Sequence, residues 1–102
     1  MKWKVVARPE AEDNVLDAAN WYNSQRAGLG DEFVEEVLTV FDALETDPLF
    51  KCRQHPTKSI SWRYPQRFPY RVIYEVIEDE RLVVIAAVIH AARHDRVWRR
   101  RI

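Results

Sequence analysis

Apolar residues recur along this chain at two different periods, first every three or four positions and then every second one, so a helical part should precede a sheet part. Within Lys2 to Ala7, the residues Trp3, Val5 and Ala7 fall on one side, which predicts a short first strand. Pro9 then fits the first turn of a helix, where its missing N–H costs nothing. Ala11, Val15, Ala18 or Ala19, and Tyr22 form one apolar stripe, and this helix should end near Gln25. Gly28 and Gly30 break the pattern. A second helix, opening at Gly30 or Asp31, carries Leu29, Phe33, Val37, Val40 or Phe41, and Leu44 until Asp47-Pro48 stops it. Each stripe is one face wide, so the hairpin must lie on an apolar surface. Phe33 and Phe41 are both expected in that core, and truncating Phe41 to Ala should leave mostly insoluble or unfolded protein.

The rest of the chain supplies the surface. Ile60, Trp62 and Tyr64 alternate with Ser59, Ser61 and Arg63, the mark of a half-exposed strand. Tyr70, Val72, Tyr74 and Val76 alternate with Arg71, Ile73, Glu75 and Ile77. Residues 78–81 read as a polar turn into Leu82–Ile89, whose unbroken apolar character predicts a central strand covered on both faces. Together these segments form an antiparallel meander. Residues 49–58 read as one long loop, and a short helical turn is expected around Val97 and Trp98.

Length and composition allow one domain, residues 1–102, with one modest core. The N-terminus lacks the apolar run of about 7–15 residues that export requires, and the longest wholly apolar run falls far short of the roughly 20 residues of a membrane helix. A cytoplasmic protein is expected. Cys52 is the only cysteine, so no internal disulfide can form. Charge is zero overall but unevenly placed: residues 1–50 hold four Lys/Arg and eleven Asp/Glu, and residues 51–102 hold twelve and five. The basic C-terminal half can therefore meet an acidic peptide or phosphates, unless the halves neutralise each other across a packed interface.

Candidate chemistry concentrates in that half. Arg71 lies inside a predicted strand between Tyr70 and Tyr74, where its planar fork can hold a phosphate or pair with Glu75 on the same face. Arg63, Arg67, Arg93 and Arg96 fall nearby if the meander forms, and arginines beside aromatic rings suit single-stranded RNA or an acidic protein equally well. His90 ends the apolar strand, either as a general acid/base or as a ring bonded at the strand exit. Arg71 and the His90–Arg93 corner are expected to share one surface. His90 and His94 have helical metal-ligand spacing but no third ligand, so no metal is expected. Trp98 either anchors the basic tail or stacks on a partner. No nucleophile elbow, Walker loop, dinucleotide fingerprint or zinc signature occurs, and no cofactor is expected.

Several motifs occur in a telling order. They are the Pro9–Ala11 helix start, Trp21-Tyr22-x-x-Gln25-x-x-Gly28-Leu29-Gly30-x-x-Phe33, Phe68-Pro69-Tyr70-Arg71-x-x-Tyr74 and the exit from His90 to Trp98. In that order the chain resembles the RelE/ParE superfamily of bacterial toxins over nearly all its length. The resemblance implies an α+β fold, with an N-terminal helical hairpin packed on a small, mainly antiparallel twisted β-sheet. It also implies a plasmid-stabilisation toxin of a type II toxin–antitoxin pair, held inactive by a co-encoded antitoxin whose acidic segment would bind the basic half.

Two mechanisms compete within that superfamily. RelE-like toxins cleave mRNA on the ribosome, and the resemblance would then make Arg71, His90 and Arg93 catalytic. Two departures weigh against this: Trp98 stands where the family has a tyrosine near the C-terminus, and Ser59, Ser61, Trp62 and Arg63 stand where it has a lysine pair. ParE-like toxins instead block DNA gyrase by binding it, and this is the leading expectation. Arg63, Arg67, Arg71, Arg93, Arg96 and Trp98 are then the candidate partner-binding or nucleic-acid-binding residues. A degenerate toxin that only binds its antitoxin is a third alternative.

Overall fold

The computed structural model describes residues 2–50 and 52–92. In chain order they form β1 (Lys4–Ala7), α1 (Pro9–Gln25), α2 (Leu29–Thr46), β2 (Arg53–Gln54), β3 (Ile60–Arg63), β4 (Tyr70–Ile77) and β5 (Leu82–His90). One five-stranded sheet has the order β1-β5-β4-β3-β2. Only β1 is parallel to its neighbour, β5, and the other pairs are antiparallel. The expected α+β architecture is thus present. Among the described residues no helix is long and apolar enough to cross a membrane. The helical turn expected around Val97 and Trp98 lies outside the described residues.

The hairpin depends on two glycines for different reasons. Gly28 precedes α2 with φ of 88°, a left-handed conformation that a side chain resists. Gly30 sits where the helices approach most closely: its amide donates to Asn23 Oδ1 at 2.8 Å, and a Cβ there would lie 2.1 Å from the Ala19 carbonyl oxygen. α2 begins at Leu29, slightly earlier than the sequence reading placed it.

Ala11, Ala18, Ala19, Phe33, Val37 and Leu44 from the helices meet Val72, Tyr74, Val83, Ile85 and Val88 from the sheet in the main core. Phe33 has no exposed surface and packs against Tyr22, Phe68 and Tyr70, with ring centroids 5.4, 5.2 and 5.0 Å away. Phe41 corrects the expectation for it, because it is only partly buried in a groove with Leu16 and Leu38, both exposed. The far face of the sheet carries a second buried cluster of Ile60, Ile73, Ala87 and Ile89, with Trp62 against it. β5 is therefore covered on both faces, as its apolar run predicts.

A bulge interrupts the β4–β5 ladder. Tyr74 pairs with Ile85 but Ile73 pairs with Ala87, so Ala86 is the extra residue that the register steps over. This one extra residue lets Val83, Ile85 and Val88 all face the helices. β2 is a second departure, because it forms inside the predicted loop. Both its residues are exposed, so no apolar alternation marked it.

Tyr74 ties the sheet to the end of α2. Its hydroxyl is buried and donates to the Pro48 carbonyl at 2.6 Å. Burial raises its pKa well above the ordinary tyrosine range. A phenol that stays protonated in the folded state contributes stability that is fully present below about pH 10 and is lost as pH rises toward the folded value. Wild-type stability should then fall with pH above about 10, with a slope approaching 1.4 kcal/mol per unit from this group. Tyr74→Phe should flatten that slope and cost about 1–3 kcal/mol at neutral pH by leaving the Pro48 carbonyl without its donor. Denaturant melts of both proteins across pH 8–11 measure the difference.

Candidate functional site

Pairing register decides where the candidate residues point. Tyr70 stands opposite His90 and Arg71 opposite Ile89. Residues directly opposite share a face and successive ones alternate, so His90 and Tyr70 lie on the helix side and Arg71 on the far side. The contacts agree: the His90 and Tyr70 rings are 5.4 Å apart, whereas the Arg71 guanidinium is 5.8 Å from the Trp62 ring on the second cluster. The expectation that Arg71 and His90 share one surface is corrected by this geometry. Its cause is the Ala86 bulge, because an unbroken ladder continued from Ile77↔Leu82 would have put both residues on one face.

Their surroundings differ as well. Arg71 is buried, with 8% of its surface exposed. His90 is exposed, and its Nδ1 accepts the Ala92 amide at 3.0 Å, which leaves the proton of the neutral ring on Nε2.

Arg63 and Arg67 bind within the molecule. Arg63 donates from Nη2 to the Asp47 carbonyl, joining β3 to the end of α2. The Arg67 amide donates to Glu36 Oε1 at 2.8 Å and its Nε to Glu36 Oε2, while Nη1 reaches Glu32 at 3.2 Å. Glu32 in turn accepts from Arg26 at 3.0 Å. Partial burial works against ionisation of Glu36, but the Arg67 amide and guanidinium outweigh it and hold the carboxyl below its ordinary range. A depressed carboxyl pKa contributes stability present above the ordinary value of about 4.3 and lost as pH falls through the folded one. Glu36→Gln should therefore lower the melting temperature at pH 6 and have little effect below pH 3, which thermal melts at both pH values check. Arg93, Arg96 and Trp98 lie outside the described residues.

One arrangement was not anticipated from the sequence. Between α1 and the upper half of β5 lies a cleft of about 190 Å3, lined by Asn14, Asp17, Trp21, Tyr70, Val88 and His90 among others. Trp21 is 56% exposed there, and Asn14 Oδ1 accepts the Val88 amide at 3.2 Å. Asn14, Asp17 and Trp21 recur at helical intervals beside the apolar stripe, a second stripe whose mixed polar and aromatic character carries no burial signal.

The sequence matches over residues 5–95 the family model described as the ParE toxin of the type II toxin–antitoxin system parDE. No curated protein sequence matches. Among solved structures, the chromosomal ParDE system of P. aeruginosa aligns with a TM-score of 0.75 at 10% identity, covering 86% of this chain and 95% of that one. The RelBE2 toxin–antitoxin complex of Mycobacterium tuberculosis gives 0.65 at 17% identity, covering 88% and 99%. The isolated RelE toxin of E. coli gives 0.54 at 14% identity, covering 93% and 90%. These likenesses are of fold.

Proposed function

The chain belongs to the ParE toxin family of type II toxin–antitoxin systems, and from that premise we propose that it acts by binding DNA gyrase and is silenced by a co-encoded antitoxin. The observation that carries a binding mechanism is the separation of Arg71 and His90. Cleaving RNA requires a cation at the phosphate and an acid/base within hydrogen-bond reach of the same reacting atoms. With Arg71 on one face of the sheet and His90 on the other, these two groups do not act on one phosphate. Arg67, already engaged by two carboxylates, is poorly placed to replace either. Gyrase as the target locates the action in the cytoplasm.

An antitoxin partner fits the solved relatives, two of which are toxin–antitoxin systems by name. Its acidic segment would be steered by the net +7 of residues 51–102. Purified protein mixed with gyrase and relaxed plasmid should block supercoiling and accumulate cleaved DNA. Undiminished supercoiling with the protein in molar excess over gyrase would eliminate this target.

A further inference from the structure

The helical hairpin carries most of the negative charge of the molecule and one exposed apolar groove. α1 holds four acidic residues and α2 six, and neither helix contains a lysine or arginine. Several of these carboxylates serve the fold itself. Glu10, Asp31 and Glu32 lie in first helical turns, where the helix dipole favours negative charge, and Glu32 and Glu36 are engaged by Arg26 and Arg67. Asp13, Glu35 and Asp42 are different: they are exposed, and among the described residues they take part in no ion pair.

Those three flank the groove. Val15 and Leu16 of α1 and Val37, Leu38 and Phe41 of α2 line a hollow of about 300 Å3, with Leu16 60% and Leu38 50% exposed. Asp13 lies one helical turn from Leu16, and Glu35 and Asp42 lie one turn to either side of Leu38, so negative side chains border both leucines. Such a face suits neither a second copy, which would bring like charges together, nor nucleic acid. It fits an amphipathic segment whose apolar stripe is flanked by lysine or arginine.

We propose that this hairpin face is the surface that docks on gyrase, with a basic amphipathic segment of the enzyme seated in the groove of Leu16, Leu38 and Phe41. Gyrase as the target is the premise of this assignment. An enzyme that grips DNA neutralises phosphates with lysine and arginine, so it presents basic surface to which the acidic hairpin is complementary. The basic half of the chain has the opposite match, to an acidic antitoxin segment. The uneven charge thus divides two partners between two halves of the sequence, net −7 over residues 1–50 and net +7 over residues 51–102.

Surface plasmon resonance of the full-length protein on immobilised gyrase, at about 50 and 200 mM salt, gives the association and dissociation rates that test this face. Leu16→Ser/Leu38→Ser should weaken binding about tenfold or more, mainly through faster dissociation. Glu35→Lys/Asp42→Lys should slow association and reduce its dependence on salt. Asp79→Lys/Glu80→Lys, on the exposed turn before β5, changes the net charge equally and should leave both rates nearly unchanged. All six positions are exposed, so thermal melts should match the wild type, and should one groove pair misfold the other still tests the face. Wild-type binding retained by both groove pairs would overturn this docking face and leave gyrase as the target, whereas absence of wild-type binding would remove target and face together. An equal loss in Asp79→Lys/Glu80→Lys would trace the effect to net charge and overturn the assignment as well. Self-association of the wild type that Leu16→Ser/Leu38→Ser abolishes, with gyrase affinity unchanged, would give the groove to a second copy instead.

Discussion

Phe33→Ala should leave little folded protein. The ring has no exposed surface and is enclosed by Tyr22, Phe68 and Tyr70, so it joins α1, α2 and β4 through one group of aromatic contacts. Truncating such a residue costs about 3–5 kcal/mol, because the lost burial adds to the cavity left behind. Small domains have only about 5–15 kcal/mol in total. At about 4–8 °C per kcal/mol for this size, the melting temperature should fall by at least about 12 °C, with soluble yield falling too. Phe41→Ala should cost clearly less, since that ring borders an open groove and leaves a smaller void. Differential scanning calorimetry of both variants gives the comparison. Equal losses would mean that the core is not centred on Phe33.

Gly30→Ala is expected to be the most damaging single-methyl change. The added carbon would sit 2.1 Å from the Ala19 carbonyl oxygen and 2.7 Å from the Asn23 side chain, and the first of these is backbone and cannot rotate away. The helices must separate, which stretches the bond from the Gly30 amide to Asn23 and loosens contacts along the whole hairpin. Overpacking of this kind costs about 1–3 kcal/mol and more where backbone must move. Gly28→Ala provides the contrast, because nothing lies within 4 Å of its added carbon and only the positive φ resists it. That strain is about 1–2 kcal/mol. Urea melts should rank Gly30→Ala below Gly28→Ala, and the reverse order would show that turn conformation, not helix contact, limits the hairpin.

Much of this fold was legible because single residues announced it. The stripes of α1 and α2 and the alternation from Tyr70 to Ile77 follow from which residues must be buried, and burial is what sequence period reports. The parallel pairing of β1 with β5 was not legible, since alternation says that a strand exists but not which edge it joins. β2 left no trace because neither Arg53 nor Gln54 is buried. The candidate site suffered most from one residue. Ala86 looks like any small apolar member of the β5 run, yet as a bulge it reverses which residues of β4 share a face with His90. Arg63 and Arg67 read as free cations because their partners, the Asp47 carbonyl and the Glu36 carboxylate, are 16 and 31 positions away in sequence.

The binding mechanism meets its most direct test when both candidate injuries are measured in the same cells. Inducing the wild-type protein should raise gyrase-linked DNA breaks while mRNA 5′ ends, mapped by primer extension, stay as they are without it. Arg71→Ala should alter the breaks only by degree, because under a binding mechanism no chemical step would depend on that guanidinium. Codon-positioned mRNA cuts made by the wild type and lost in Arg71→Ala, with DNA left intact, would contradict the account and make the protein a ribosome-dependent nuclease.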